Sequence, residues 1–213
     1  QTIVVTSSVK GEGKTLISAN IALNLSNDLE KNKKTILLGS DLRNPQVHKI
    51  FGVSKTQKGI SEIIYKNDSV NLKKYIKSFQ NLDVLFSGTI PPNPTSMLGS
   101  KEFKNLISLL KKEYDYVIID SAPCVLVSDT FQFIDLIDST IYIFRSSYSE
   151  QNIVKYINEL HEGKKIKNLN LVLNAVGNSS AYGYRYGYQY GYGYKYAYNY
   201  GYGYGYNVDD GNE

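Results

Sequence analysis

The chain has 213 residues, with 24 Lys and Arg against 20 Asp and Glu, a formal net charge of +4. That length suffices for one α/β domain with a buried core, and the mild charge fits phosphate-bearing ligands but not a nucleic-acid binder. A single cysteine, Cys124, excludes an internal disulfide, and two distant histidines, His48 and His161, argue against a His-built metal centre.

The chain opens without Met on the β-branched run Ile3-Val4-Val5, which reads as a strand in a fragment of a longer protein. Thr6-Ser7-Ser8-Val9-Lys10-Gly11-Glu12-Gly13-Lys14-Thr15 follows, then an amphipathic segment. Strand, Gly-rich turn, Lys-Thr and helix is the context of a P-loop. Gly11 and Gly13 let backbone amides approach phosphate oxygens, and the opening helix favours the anion. Lys14 is placed to reach the β- and γ-phosphates, and the Thr15 hydroxyl to hold Mg²⁺. Ser8 stands where the usual pattern has Gly, so this is a variant.

The helix is expected from Thr15 to about Lys31, with Ile17, Ile21, Leu25 and Leu29 on one face. Thr35-Ile36-Leu37-Leu38 reads as a buried strand leading into Gly39-Ser40-Asp41-Leu42-Arg43-Asn44-Pro45. A carboxylate and an arginine just past a strand's carboxyl end sit where α/β sheets bind ligands. Asp41 is a candidate for Mg²⁺ or its waters, or else a helix cap, and Arg43 for phosphate or carboxylate. Ile60, Ile63 and Ile64 predict a short helix, residues 82–86 a third strand, and Ser100 a cap on a helix carrying Phe103, Leu106, Ile107 and Leu110.

Tyr116-Val117-Ile118-Ile119-Asp120 is an apolar strand ending in a carboxylate, the Walker B arrangement that binds Mg²⁺ directly or through water. Asp129 is expected to open a helix with Phe133, Leu136 and Ile137. A strand over 139–144, a helix over roughly 150–161 and a strand over 168–175 complete the pattern. Strands alternating with helices predict an α/β fold: a mostly parallel sheet flanked by helices on both faces. Cys124 is expected to be a small buried residue. No apolar run approaches the ~20 residues of a membrane span. Lysine clusters fall mostly near predicted helix ends, where solvated, dipole-complementing cations are the plain reading and contact with an anionic membrane the other.

Composition shifts abruptly near Ser179, dividing a domain over 1–178 from a tail over 179–213. Tyr182, Tyr184, Tyr186, Tyr188, Tyr190, Tyr192, Tyr194, Tyr196, Tyr198, Tyr200, Tyr202, Tyr204 and Tyr206 fill every even position. Aliphatic residues are nearly absent, so disorder is the expectation. The tail reads as a self-associating low-complexity segment, as a phosphoacceptor array, or as both.

These motifs resemble the P-loop bacterial tyrosine kinases, the cytoplasmic catalytic domains that govern capsule and exopolysaccharide synthesis. The resemblance runs through Ser7 to Thr15, Ile36 to Arg43, Val117 to Pro123, the loop Gly88 to Leu98 and Leu173-Asn174-Ala175, and is most specific in the tyrosine cluster. Lys10 replaces the family's usual Pro, and Val9 stands where partition and septum-placement ATPases of this fold carry a signature Lys. The resemblance implies ATP as substrate, with Mg²⁺, bound by Gly11, Glu12, Gly13, Lys14 and Thr15, with Asn174 near the adenine. It implies catalysis by Lys14, Asp41, Arg43 and Asp120, with the tail phosphorylated between subunits. It also implies a place at the inner face of the plasma membrane, a membrane-embedded activator or chain-length regulator, and ring assembly in the full-length protein. The family's oligomerisation helix would precede this chain's first strand. Gly39 departs from the pattern, standing where the first of two Asp is expected. That carboxylate is a candidate for taking the tyrosine proton, so its loss leaves either a slower enzyme or Asp41 in the role. A nucleotide-dependent ATPase switch, or a weakened scaffold of the same fold, is the alternative.

Overall fold

A computed structural model of the chain describes residues 1–28, 33–67, 69–125 and 128–177. The tail tyrosines lie outside the described residues, as does the expected end of the first helix at Leu29 to Lys31. Residues Gln1–Ala175 form one unit.

Seven strands make one sheet: β1 (Thr2–Ser7), β2 (Thr35–Gly39), β3 (Ile76–Phe79), β4 (Leu82–Leu85), β5 (Tyr116–Asp120), β6 (Ser139–Arg145) and β7 (Leu169–Asn174), in the order β3-β4-β2-β5-β1-β6-β7. All pairings are parallel except β3 with β4. The helices are α1 (Lys14–Ser26), α2 (Val47–Ile50), α3 (Ile60–Lys66), α4 (Pro94–Gly99), α5 (Lys101–Glu113) and α6 (Asn152–Glu162).

Alternation along the central strands divides the core in two. Val4, Ile36, Leu38, Val117 and Ile119 face one way, against Phe103, Leu106, Ile107 and Leu110 of α5. Val5, Leu37 and Ile118 face the other way, against Ala19 and Ala22 of α1. The α5 stripe is the predicted one, and Ser100 caps it, its Oγ accepting the Phe103 N–H at 3.2 Å.

Three expectations are corrected. The deeply buried positions of α1 are Lys14, Ser18, Ala19, Ala22 and Ser26, while Ile17, Ile21 and Leu25 are only partly buried. Small residues bring this helix, and the loop before it, close to the sheet. The strand β3 was not predicted. It is four residues long and only partly buried, and its turn to β4 places Gln80 at φ 55 without the usual Asn-Gly signal. Asp129 does not open a long helix. Two short 3₁₀ turns follow, Thr130–Gln132 and Ile134–Leu136, and no hydrogen bond from the Asp129 side chain caps the first. Its carboxylate is engaged elsewhere, as described below.

Candidate active site

Parallel strands deliver their carboxyl ends to one edge, and β1, β2 and β5 end side by side there. Gly39 at the tip of β2 is paired in register with Asp120 at the tip of β5. The loop leaving β1 holds Gly11 at φ 89 and Gly13 at φ 101, left-handed conformations that favour glycine. A Cβ on Gly13 would lie 2.2 Å from Asn174 Nδ2, so a larger residue there would displace the Asn174 amide. Ser8, at the variant position, is buried with its hydroxyl 2.9 Å from the Tyr142 hydroxyl.

Glu12 is fully buried and braces the loop from within. Its Oε2 accepts the Val9 N–H at 2.8 Å, and its Oε1 accepts the Ser149 hydroxyl. Lys14 folds back over the same loop, donating to Ser7 Oγ at 3.0 Å and the Val9 carbonyl at 3.4 Å. Burial pushes its ammonium below the ordinary value, against the pull of Asp120, Asp41 and Glu12. A desolvated ammonium, bonded only to neutral oxygens and with carboxylates nearby, is prepared to meet a polyanion.

Asp120 is 1% exposed. Ser18 Oγ lies 3.4 Å from Oδ1, and the neighbouring Thr15 hydroxyl favours the ionised carboxylate. Burial nonetheless pushes its pKa up to about 7, because these hydroxyls and Lys14 do not offset desolvation and the nearby Asp41 charge. Asp41 accepts the Arg43 and Asn44 N–H groups at 3.2 and 2.9 Å, a turn-capping arrangement that fixes its carboxylate near Lys14 and Asp120. The fold therefore brings Lys14, Thr15, Asp41 and Asp120 together.

Arg43 points elsewhere. Its guanidinium grips Asp129 with Nε–Oδ2 at 2.7 Å and Nη2–Oδ1 at 3.1 Å, and donates to Thr95 Oγ1 at 2.7 Å. Asp129 is 1% exposed, so the pair ties the loop after β2 to the segment after β5. Arg43→Ala strands this carboxylate with the Thr95 hydroxyl as its remaining side-chain donor. We expect a loss of about 1–3 kcal/mol in urea unfolding, below the cost of a fully buried pair because the Arg43 side chain is 42% exposed. Asp129→Asn should cost less, since the freed guanidinium can turn to water; the opposite order would contradict this account.

Several site residues were missed from the sequence. Ser18 follows Thr15 by three, so helical spacing alone could have placed both on the Asp120 side. Arg145 at the end of β6, with Tyr148 and Ser149 just past it, straps the P-loop from outside. Arg145 Nη1 donates to the Gly11 carbonyl at 2.9 Å, and the Tyr148 hydroxyl to the Lys10 carbonyl at 3.0 Å. Asn174, at the end of β7 and singled out in the sequence for a place near the adenine, joins the strap by donating from Nδ2 to the Glu12 carbonyl at 2.9 Å. No local signal marks this strap. Cys124 is buried against Tyr142, and burial raises its thiol, which makes it a poor nucleophile.

Residues 1–173 match the protein family described as "AAA domain". The chain is 32% identical over 185 residues to "Tyrosine-protein kinase YwqD" of Bacillus subtilis (strain 168), covering 86% of this chain and 76% of that protein. It is 31% identical over 179 residues to "Tyrosine-protein kinase CpsD" of Streptococcus agalactiae serotype III (strain NEM316), covering 84% and 76%. Among solved structures, "the chimerical protein CapA2B2" superposes with a TM-score of 0.73 at 34% identity, covering 81% of this chain and 75% of that one.

Proposed function

The chain belongs to the bacterial tyrosine-protein kinases, and on that premise we propose how its residues carry out the transfer. It is a nucleotide-binding protein-tyrosine kinase of the P-loop fold. The observation that carries the mechanism is the buried Asp120 carboxylate at the tip of β5, 3.4 Å from Ser18 Oγ of α1, with the buried Lys14 opening the same helix.

The amides of Gly11, Gly13 and Lys14 bind the phosphates of ATP, and the Lys14 ammonium neutralises charge on the β- and γ-oxygens. Thr15, Asp41 and Asp120 supply hard oxygen donors that fit Mg²⁺. A buried carboxylate with a raised pKa is one short of positive charge, which also fits a cation. Among the described residues no cluster of three or more His, Cys, Asp or Glu forms a dedicated metal cage, in keeping with an ion held mainly by phosphates and one or two carboxylates. Bound there, Mg²⁺ would neutralise charge on the transferring group. Arg43 acts through Asp129, holding the loop that carries Asp41. Asn174 fixes the P-loop at Glu12 and Gly13, on the side offered to the nucleoside.

A tail tyrosine, Tyr182 to Tyr206, presents its Oη to the γ-phosphorus. The Oη–P bond forms as the bond to the β,γ-bridging oxygen breaks, ADP leaves, and the phenolic proton passes to a carboxylate or water. Transfer between neighbouring copies, control of capsular or exopolysaccharide export, and a membrane-embedded activator at the inner face of the plasma membrane complete the proposal. Among the described residues no helix is long and apolar enough to cross a membrane.

Gly39 bears on the rate. A Cβ there would lie 3.0 Å from Ser87 Oγ and 3.2 Å from Val47 Cγ2, contacts that a rotating hydroxyl and a small side-chain shift can relieve. Gly39→Asp adds a carboxylate beside Asp120 and should raise tail phosphorylation about 10²-fold at saturating ATP. An unchanged rate would assign proton removal to Asp41 or make it dispensable. The reading as a whole is tested by mass spectrometry of the full-length protein after incubation with Mg-ATP. Phosphate on residues 182–206, absent from a Lys14→Met control, is expected; none there, even with Asp at position 39, would overturn it.

A further inference from the structure

A second polar cavity, of about 520 Å³, lies outside the nucleotide site. Its walls are Ser54, Thr56 and Lys58 of the loop before α3, Lys66 at the end of α3, and Lys74 and Tyr75 just before β3. Among the described residues no acidic side chain lines it. Residues 47–77 hold seven lysines against two carboxylates, Glu62 and Asp68, a net +5 that exceeds the +4 of the whole chain. Glu62 is already engaged by the Gly59 N–H at 2.7 Å and by the Thr89 hydroxyl, also at 2.7 Å. The positive field is felt nearby: His48 lies below its ordinary value through burial and then through Lys49 and Lys55.

Ile76 pairs with Leu85 at the carboxyl end of β4, so the cavity opens at the same sheet edge as the P-loop. Three strands separate β3 from β1, a lateral offset on the order of 20 Å at ~4.8 Å per strand. We propose that this cavity binds the phosphate of a phosphotyrosine from residues 182–206, of the same copy or a second one. The inference rests on the kinase reading for the source of its ligand. A phosphotyrosine carries about −1.5 to −2 charges where the unmodified phenol carries none, so a lysine-walled cavity distinguishes product from substrate. Lysine ammoniums are point donors suited to a phosphate of unconstrained orientation, and the volume suits a side-chain-sized ligand. Length allows it as well: an extended chain from Ala175 spans ~25 Å at position 182 and ~100 Å at 206, against a sheet ~29 Å wide. Capture there would draw a finished tyrosine off the P-loop and leave it open to the next.

The test uses the dephosphorylated full chain and a labelled synthetic peptide of residues 196–206 phosphorylated at Tyr200 and Tyr204, followed by fluorescence anisotropy. The supply of phosphotyrosine then does not depend on the kinase reaction, so failure of either reading is seen separately. The phosphopeptide should bind at least 30-fold more tightly than its unmodified form. Lys58→Glu with Lys66→Glu should weaken it at least tenfold, while nucleotide-analogue binding and thermal unfolding stay unchanged. Lys58→Gln with Lys66→Gln, which keeps much of the side-chain stem, serves if charge reversal unfolds the protein. Undiminished binding in the double variant would overturn the proposal. Displacement by inorganic phosphate at matching concentration would overturn it in favour of a free-anion site. Binding of phosphatidylserine vesicles through the same lysines, with no phosphopeptide binding, would overturn it in favour of a membrane surface.

Discussion

Lys14→Met is expected to lower tail phosphorylation by about 10²–10³-fold, the cost of losing one preorganised charge donor on a transferring group. Lys14 is 7% exposed and bonded to Ser7 and Val9, so its ammonium is in place before nucleotide arrives. Methionine keeps the volume and removes the charge, and a desolvated cation costs stability, so the variant should unfold at or above the wild-type temperature. Loss of activity with retained stability is the diagnostic pair. Initial rates with labelled ATP and a thermal melt measure both. A rate within tenfold of wild type would remove Lys14 from the mechanism.

Asp120→Asn should have opposite effects on rate and stability. Asp120 is fully buried with its pKa raised from 3.8 to about 7. Between about pH 4 and 7 the folded chain keeps a proton that the unfolded chain has released, so stability falls as pH rises through that window and levels off above it. Three pH units correspond to about 4 kcal/mol as an upper figure. The asparagine variant should be flat across the window and more stable than wild type at pH 8, in melts without divalent metal. Mg²⁺ with nucleotide should stabilise the wild type more at pH 8 than at pH 5, because a cation favours the ionised carboxylate. The variant should lose that increment, and its phosphorylation rate should fall by about 10²–10³-fold. A wild type whose melting temperature rises steadily from pH 4 to 7, level with the variant's, would show that Asp120 is ionised at no cost and would break the argument.

The strap over the P-loop is where sequence reasoning stopped. Gly11, Glu12, Gly13, Lys14 and Thr15 could be placed because a P-loop is local: strand, turn and helix are contiguous, and its glycines mark it. The partners that brace it come from more than 130 positions away: Arg145, Tyr148 and Ser149, none unusual in its own stretch, and Asn174, which the sequence placed near the adenine but not against the loop. Glu12 illustrates the difference. The sequence places it in the loop, but its burial and its bonds to Val9 and Ser149 follow only once β6 and β7 are docked beside β1. Arg43 illustrates it again, since position alone offered it phosphate or some carboxylate, and only the folded chain makes that carboxylate Asp129.

By itself the sequence determined the α/β alternation, the parallel sheet, the P-loop, the two carboxylates at strand tips and the existence of a tyrosine-rich tail. Each is written in local periodicity or in a contiguous motif, because backbone hydrogen bonding and phosphate binding act over a few neighbouring residues. Only the tertiary structure decided which small face of α1 meets the sheet, that β3 turns back antiparallel, that Asp129 belongs to Arg43, and that lysines from three separate segments wall one cavity. Those outcomes depend on charge and volume meeting across long sequence separations, where burial sets the strength of each contact and no single stretch of chain carries the information.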